Sequence, residues 1–324
     1  MDKYNILITP AGSGMAIAAI RALKENPDIR IITTDTDRLS PGLHLSHKGY
    51  IVPSFDDPSY YEIIKNIIRN ENIDVIIPAL DHILLPFSNR REEFKKLNAT
   101  VLVSDPKTIM ITRDKWITYN HLKDLIPVPR SFIKKEDINI DFPLLLKPRD
   151  GSGSVDVHKV ESREELDFFY SRIDKPIIQE YLAGKEYTVD CLADKQGNLL
   201  LVVPRERIAT KSGISVKGKI IKDERIEKIG ETIAKSMKFF GPFFFQLKED
   251  DQGIPKLIEI NSRIAGGMSL SSFSGPNIHI LAIQICMDKK ITLPKINYGL
   301  CLTRYLSDIF LDEPALNKIE EAPK

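Results

Sequence analysis

The stretch GPFFFQLKEDDQGIPKLIEINSRI, residues 241–264, predicts two β-strands joined by a turn at DDQG. Glu259, Asn261 and Arg263 alternate with apolar residues in the second strand, so they are expected to share one face. Gln246 then lies near Glu259 across the hairpin. Mg²⁺ takes carboxylate and carbonyl oxygens together with substrate phosphates, so Gln246, Glu259 and Asn261 form a candidate metal site. The alternative is a half-exposed strand whose polar face meets water.

The composition is that of a globular protein with two or three domains. The 324 residues are 42% hydrophobic and 28% charged, and the formal net charge is +1. This balance predicts neither nucleic acid nor a membrane surface as partner. The three cysteines are far apart in the sequence, which predicts no disulfide framework and no zinc site. The start of the chain has no signal-peptide layout, and we expect a cytoplasmic protein.

Two styles of pattern divide the chain. In residues 5–103, runs such as YNILIT, IRIITT and IDVIIPAL alternate with helical segments, which predicts a parallel sheet covered by helices. Residues 104–125 predict one or two helices that end before Pro127 and Pro129. From about residue 130 the strands follow each other closely, which favours an antiparallel α+β region. Helices are expected near 162–170, 223–237 and 276–287.

The segment PAGSGMAIAAI, residues 10–20, contains part of a dinucleotide-binding fingerprint. Gly12 and Gly14 match its first two glycines, whereas Ile17 stands at the third position. Asp35 lies where a ribose-binding acid is expected. A simple tight turn between a strand and a helix is the favoured interpretation, and an NAD-binding site is the alternative.

A second glycine-rich segment, LLLKPRDGSGSVDV, spans residues 144–157. Lys147 ends an apolar strand, and the run from Gly151 to Ser154 follows it. Such a run can turn backbone N–H groups around a phosphate, while a lysine beside it supplies a positive charge. The alternative is a flexible hairpin tip with a solvated lysine.

The segment IIQEYLAGKEYTV, residues 177–189, places two glutamates on either side of a turn. A nucleotide base needs an apolar slot and an acceptor for its amine, for which Glu180 and Leu182 are candidates. Glu186 is a candidate for the sugar hydroxyls. Solvated hairpin glutamates are the alternative.

Substrate contacts carry weaker signals. PRERIATKSG, residues 204–213, supplies Arg205, Arg207 and Lys211 as candidates for a carboxylate, with a basic surface hairpin as the alternative. Gly266 and Gly267 can bring backbone N–H groups close to an anion. Asp81 ends a predicted parallel strand, where α/β sheets present ligand contacts, and is a candidate for an amine.

Taken together, these motifs resemble those of ATP-grasp enzymes. Their order is a lysine in DKW, a lysine before a Gly-Ser loop, E-x-L-x-G-x-E, and then Q followed by E-x-N-x-R. The segments VIIPALDHILLPFS, KPRDGSGS and QEYLAGKEYTVD are similar to segments of carboxylate–amine ligases and of the halves of the carbamoyl phosphate synthase large subunit. Asp156 stands where relatives often have glycine.

The resemblance implies a mixed α/β and α+β fold in three parts. Residues 1–105 would form a Rossmann-like pre-ATP-grasp domain, 106–180 the first ATP-grasp subdomain with the Gly-Ser loop, and 181–324 the second subdomain with the metal site. The two subdomains would clasp the nucleotide between them.

The resemblance also implies roles for the candidate residues. Catalysis would fall to Arg263, on the transferred phosphoryl group, and to Lys147. The nucleotide would be held by Lys115, Lys147, Gly151, Ser152, Gly153, Ser154, Glu180, Leu182 and Glu186, and the metal by Gln246, Glu259 and Asn261.

The implied activity is that of an ATP- and Mg²⁺-dependent ligase, in which Mn²⁺ is the alternative to Mg²⁺. It would activate a carboxylate as an acyl phosphate for attack by an amine, with amino acids as candidate substrates. A homodimer is expected. The alternatives are the nucleotide-binding half of a split carbamoyl phosphate synthase-like enzyme and an NAD-dependent dehydrogenase.

Overall fold

A computed structural model describes residues 4–151, 153, 155–211 and 213–323. Its first sheet has six parallel strands: β1 (Tyr4–Thr9), β2 (Ile29–Asp35), β3 (Lys48–Ile51), β4 (Val75–Pro78), β5 (Thr100–Val101) and the C-terminal β16 (Glu320–Glu321). Their order is β16-β3-β2-β1-β4-β5. The helices of this part are α1 (Gly14–Leu23), α2 (Pro41–Leu45), α3 (Tyr60–Glu71), α4 (Asp81–Asn89) and α5 (Arg91–Lys95).

The first sheet is buried on both faces, as its apolar strands predict. Ile6 and Ile8 of β1 pack into one core cluster, whereas Leu7 between them packs into another. Successive side chains of a strand point to opposite faces, so helices cover both sides of the sheet. The expected parallel α/β region is therefore confirmed.

Two short helices lead into a second sheet. They are α6 (Pro106–Arg113) and α7 (Lys115–Leu122), and Asp105 and Asp114 cap their N-termini. The sheet is antiparallel, in the order β6-β9-β7-β8, and helix α8 packs against it. These elements are β6 (Ser131–Phe132), β7 (Leu144–Pro148), β8 (His158–Val160), α8 (Arg163–Tyr170) and β9 (Pro176–Glu180).

The third sheet is antiparallel and has six strands in the order β14-β13-β10-β11-β12-β15. They are β10 (Glu186–Ala193), β11 (Leu199–Lys211), β12 (Ile214–Ile220), β13 (Gly241–Glu249), β14 (Pro255–Asn261) and β15 (Cys301–Thr303). The remaining helices are α9 (Glu224–Ser236), α10 (Ser269–Phe273), α11 (Ile278–Cys286) and α12 (Glu313–Leu316). Phe243 and Phe245 of β13 fill the core beneath α9.

The hairpin of β13 and β14 forms as predicted, with one irregularity. Gln246 pairs with Glu259, but the next pair is Leu247 with Leu257, so Ile258 is an extra residue in β14. Such a bulge re-aims side chains. Leu257 lies in the core, whereas Ile258 lines a cavity instead of packing inward as its apolar neighbours do.

Among the described residues, none of the helices has the length and apolar character that crossing a bilayer requires.

Candidate functional site

A cavity of about 450 Å³ lies where the three sheets meet. The first sheet contributes the start of α1 and of α4, the second sheet contributes β7 and β9, and the third contributes its strand faces. The predicted site residues that line it are Asp81, Lys115, Lys147, Gly151, Gly153, Glu180, Leu182, Glu186, Arg205, Arg207, Gln246, Glu259, Arg263, Gly266 and Gly267. Residues spread over most of the sequence are thus brought together in one place.

The predicted metal ligands lie on the hairpin of β13 and β14. This hairpin is part of the cavity wall formed by strands β10, β11, β13 and β14, which is here called the floor. Gln246 and Glu259 are cross-strand neighbours. Asn261 lies in a small adjoining cleft and donates from Nδ2 to Glu259 Oε1 at 3.1 Å. One carboxylate and two amide oxygens are hard ligands that suit Mg²⁺, which usually completes its shell with phosphates and water. The donor set therefore fits this metal.

Histidine, cysteine and carboxylate side chains alone form no cluster of three or more suited to a metal within the described ranges. A cation at Glu259 would therefore depend on amide oxygens and on a bound phosphate. This dependence is expected for Mg²⁺, which is seldom held by a cage made only of protein groups.

Arg263 follows β14 and reaches across the cavity to the first sheet's helix α4. Its Nη2 donates to Asp81 Oδ2 at 2.6 Å, and its Nε donates to the other oxygen of the same carboxylate. Nη2 also donates to Asn261 Oδ1 at 3.3 Å. Asp81, expected to contact an amine, is thus occupied by an arginine.

Two lysines stand on the opposite wall. Lys147 of β7 is almost completely buried, and its Nζ lies 3.4 Å from the carbonyl oxygen of Ile258. Burial, together with the nearby charge of Lys115, lowers the pKa of Lys147 from 10.5 to about 7. Lys115 begins α7, and its Nζ donates to the carbonyl oxygen of Gly151 at 2.9 Å. A buried lysine with so low a pKa indicates a place prepared for a negative charge.

Asp114 and Arg149 fix the position of Lys115, and sequence analysis missed both. The Asp114 carboxylate accepts from the N–H groups of Trp116 and Ile117, and so caps α7. Arg149 donates to both oxygens of the same carboxylate, at 3.2 and 2.6 Å. The signal for Asp114 was its place directly before a helix, which is typical of an N-cap.

After β7, the described residues Gly151, Gly153 and 155–157 lie at the cavity and are here called its roof. Gly151 and Gly153 line the cavity and are exposed, and Gly153 has φ +75°. Ser152 and Ser154 lie outside the described residues. Asp156, at a position where relatives often have glycine, has φ 53° and so adopts the left-handed conformation that favours glycine.

The hairpin glutamates are paired. Glu180 binds Lys256 Nζ at 2.6 Å and also accepts from the N–H of Arg130. Glu186 lies 2.9 Å from Arg207 Nε. Leu182 is buried at the cavity wall between them. Each of these glutamates is thus partly buried and has an ionic partner.

The candidate carboxylate-binding end centres on Arg205. Its guanidinium binds Asp190 through Nε at 2.7 Å and Nη2 at 3.1 Å, and both residues are buried. Ser271 of α10 donates to the same carboxylate at 2.6 Å. A Cβ on Gly267 would lie only 2.8 Å from Arg205 Nη1, so a side chain there would displace the guanidinium. Lys211 is exposed and is not part of the cavity wall.

The glycine turn of the first sheet has its own hydrogen bonds. The N–H of Gly12 donates to Asp35 Oδ2 at 2.7 Å, while the other oxygen accepts from Thr36 and Asp37. Asp35 therefore stabilises the turn; the favoured interpretation predicted the turn itself but not this role of Asp35. Gly14 lines the cavity beside Gly266, a contact that the sequence did not suggest.

Two family models match separate parts of the chain. Residues 6–102 match the PylC-like N-terminal domain, and residues 172–305 match an ATP-grasp family described as belonging to a biosynthetic pathway with the Ter operon.

Known proteins are similar over most of the length. A carbamoyl-phosphate synthase of Methanobrevibacter smithii is 23% identical over 271 residues, which cover 77% of this chain and 72% of the relative. A D-alanine–D-alanine ligase of Petrotoga mobilis is 24% identical over 200 residues, which cover 51% of this chain and 66% of the relative.

A solved structure has the same fold. It is the biotin carboxylase domain of the Hydrogenobacter thermophilus 2-oxoglutarate carboxylase, a dimer in complex with MgADP, ADP and bicarbonate. Its TM-score is 0.74 at 17% identity, and the match covers 93% of this chain and 74% of that one. The chain therefore has a PylC-like N-terminal domain followed by an ATP-grasp domain, and the order of its motifs predicted the ATP-grasp domain.

Proposed function

We propose that this ATP-dependent C–N ligase activates a small carboxylate as an acyl phosphate and joins it to an amine. A carboxylate oxygen attacks the γ-phosphorus of ATP, and the bond to ADP breaks. The amine nitrogen then attacks the acyl carbon, phosphate leaves, and the nitrogen loses a proton. The ligases among the relatives support this class of reaction.

One observation carries the proposal: a hairpin whose Glu259 and Gln246 line the cavity, with Asn261 in the adjoining cleft, faces two lysines on the opposite wall. Glu259, Asn261 and Gln246 would hold Mg²⁺, or Mn²⁺ in its place, which would neutralise charge on the phosphates. Lys115 and Lys147 would bind phosphate oxygens. Phosphoryl transfer needs this positioning and charge neutralisation far more than covalent help from the protein.

The remaining nucleotide contacts follow from the same cavity. Glu180 and Leu182 would contact the adenine, and Glu186 the ribose. The loop from Gly151 to Ser154 would cover the triphosphate and exclude water, which would otherwise hydrolyse an acyl phosphate. Arg263 would contact the transferred phosphoryl group.

Arg205 is the strongest candidate for the substrate carboxylate, because it lines the cavity and is held in place by Asp190. The backbone N–H groups of Gly266 and Gly267 would lie beside it. Arg207 is a second candidate on the same cavity wall, where Glu186 lies 2.9 Å from its Nε. Amino acids are the proposed substrates, as carboxylate and as amine.

The proposal is tested by ADP release from MgATP with a panel of amino acids, offered singly, in pairs and with ammonia. We expect release that requires both a carboxylate and an amine, with the ligated product identified by mass spectrometry. If the protein binds MgADP but no pairing stimulates ADP release, the proposed reaction is wrong.

The similarity to a carbamoyl-phosphate synthase favours a second candidate, the nucleotide-binding half of a split enzyme. ADP release that appears only after a co-purified partner chain is added would favour this candidate over the first. Against the dehydrogenase alternative, Asp35, the candidate ribose-binding acid, accepts a hydrogen bond from the N–H of Gly12 in the turn. A fluorescence titration with NADH checks it, and we expect no binding.

The division of the chain at residues 105 and 180 is part of the proposal. Strands β1–β5, β6–β9 and β10–β15 belong to separate sheets that fall within these ranges, while β16 returns to the first sheet.

We also propose a cytoplasmic homodimer. Leu306 and Phe310 are more than 90% exposed and offer apolar surface. Light scattering should show a dimer that Leu306→Ser and Phe310→Ser weaken.

A further inference from the structure

The cavity contains an ion pair that joins the first sheet to the hairpin of the floor. Asp81 and Arg263 are 182 residues apart in sequence, yet the arginine donates to both oxygens of the carboxylate. The Arg263 side chain is 9% exposed and that of Asp81 is 26% exposed. A bidentate pair of this kind fixes the plane of the guanidinium as well as its distance.

The same arginine is bonded to one predicted metal ligand, Asn261, and through it to Glu259. Its Nη2 donates to Asn261 Oδ1 at 3.3 Å, and Asn261 Nδ2 donates to Glu259 Oε1 at 3.1 Å. Nη1 donates to the carbonyl oxygen of Ile264 at 3.1 Å. A continuous chain of hydrogen bonds thus runs from Asp81 through Arg263 and Asn261 to Glu259.

In this arrangement, the Arg263 guanidinium and a bound Mg²⁺ would compete for the same ligand oxygens. Asn261 and Glu259 have the oxygens that a divalent ion needs, and Arg263 already donates to Asn261, which is itself bonded to Glu259. The bond to Asp81 is the shorter and bidentate one, whereas the bond to Asn261 is single and long. Asp81 therefore engages two nitrogens of the guanidinium and balances its charge, which reduces its repulsion of a metal ion at Glu259.

We propose that Asp81 is a positioning residue that keeps the Arg263 guanidinium from pairing with the Glu259 carboxylate, so that the first sheet's domain completes the metal site. Without its carboxylate, the guanidinium turns toward Glu259 and competes with Mg²⁺. This inference rests on the proposed nucleotide and metal site. Its effect is on the binding of the cation rather than on the nucleotide itself.

The test measures binding, with no turnover required. Calorimetry gives the affinity for ADP in EDTA, and a Mg²⁺ titration at fixed ADP gives the concentration for half-saturation. We expect Asp81→Asn to raise that concentration about tenfold, as loss of an outer-shell partner does at other metal sites. The affinity for ADP in EDTA should change less than twofold. Asp81→Glu, which keeps the charge, should restore part of the Mg²⁺ affinity.

Arg263→Lys keeps a positive charge without the planar fork, and it provides a second route to the same answer if Asp81→Asn does not fold. It should also weaken Mg²⁺, and the two changes together should weaken it by less than the product of their separate effects. Glu321→Gln is the matched control, because it removes an exposed arginine–carboxylate pair with Arg38 outside the cavity. It should leave both affinities unchanged.

Two kinds of failure are distinguishable. A wild-type protein whose ADP binding does not respond to Mg²⁺ contradicts the proposed metal site itself. A wild-type protein that responds, with Asp81→Asn responding equally or at lower Mg²⁺, overturns the inference alone. An equal loss of ADP affinity with and without Mg²⁺ also overturns it, since it indicates a general structural role.

Discussion

The floor and the roof of the cavity are built in opposite ways. On the floor, Glu259 and Asn261 are bonded to each other, and Arg205 is bonded to a buried carboxylate. On the roof, the described residues from Gly151 to Val157 are exposed, and Lys115 reaches them only through a carbonyl oxygen. Preorganised groups stabilise charge where it develops, whereas an adaptable loop admits the substrates and then excludes water. Substitutions on the floor should therefore have larger effects than those on the roof.

The largest effect is expected from Glu259→Gln, which removes the floor's predicted metal carboxylate. Magnesium-dependent ADP release should fall about 10³-fold, since a neutral amide is a much poorer partner for the cation. Steady-state kinetics at saturating ATP measure the loss. The thermal melting temperature should stay near that of the wild type, because Glu259 is only half-buried. Turnover above one tenth of the wild-type rate would contradict the metal assignment.

Asp190→Asn tests the second fixed group of the floor. The change leaves the buried Arg205 guanidinium without its charge partner, so the free energy of unfolding should fall by about 3 kcal/mol. Urea unfolding measures it. The matched control is Asp288→Asn, which breaks an exposed pair with Lys195 and should cost less than about 0.5 kcal/mol. Equal losses in the two variants would show that Asp190 has no special place in the floor.

Lys147 lies opposite the floor, and its lowered pKa gives a pH-dependent effect. With a pKa of about 7 in the free protein, the lysine is mostly neutral at pH 8. A bound polyphosphate favours the charged form, so nucleotide binding should take up close to one proton at pH 8. Affinity should then fall by up to about tenfold for each pH unit above 7. Calorimetry in buffers of different ionisation enthalpy measures the uptake.

Lys147→Met supplies the control for this linkage, because its binding should lose both the proton uptake and the fall in affinity above pH 7. Stability has the opposite dependence on pH. Since the unfolded chain binds the extra proton between pH 7 and 10.5, this residue's contribution to the free energy of unfolding rises through that range. Nucleotide binding without proton uptake by the wild type would contradict the neutral state of Lys147.

The sequence predicted the features of the site that depend on local pattern. Period-two alternation placed Glu259 and Gln246 across a hairpin, and apolar runs placed β1 and β4 in a parallel sheet. These features depend on local pattern. The pairing of Asp81 with Arg263 depends on how two separate sheets meet, and no local signal carries it. The bulge at Ile258 likewise depends on its cross-strand partner.

Asp190 is an intermediate case. It stands inside the apolar run YTVDCLA, and a carboxylate in a buried strand almost always has a charged partner. The sequence thus contains a signal for a charged partner of Asp190, which our sequence analysis did not use, whereas the choice of Arg205 follows from the register of β10 and β11. Local chemistry indicates the kind of contact, and tertiary structure decides which residues make it.

The smallest effect is expected on the roof, at Asp156. Its φ of 53° is unfavourable for most side chains, so Asp156→Gly relieves a small strain while it adds entropy to the unfolded chain. The two terms nearly cancel, and the free energy of unfolding should change by less than about 0.5 kcal/mol. Asp137→Gly is the control at an exposed position, where the entropy term stands alone and should cost about 1 kcal/mol. Urea unfolding of both variants measures the difference. If Asp156→Gly cost more than Asp137→Gly, the aspartate would be held by contacts of its own, and the roof would be as constrained as the floor.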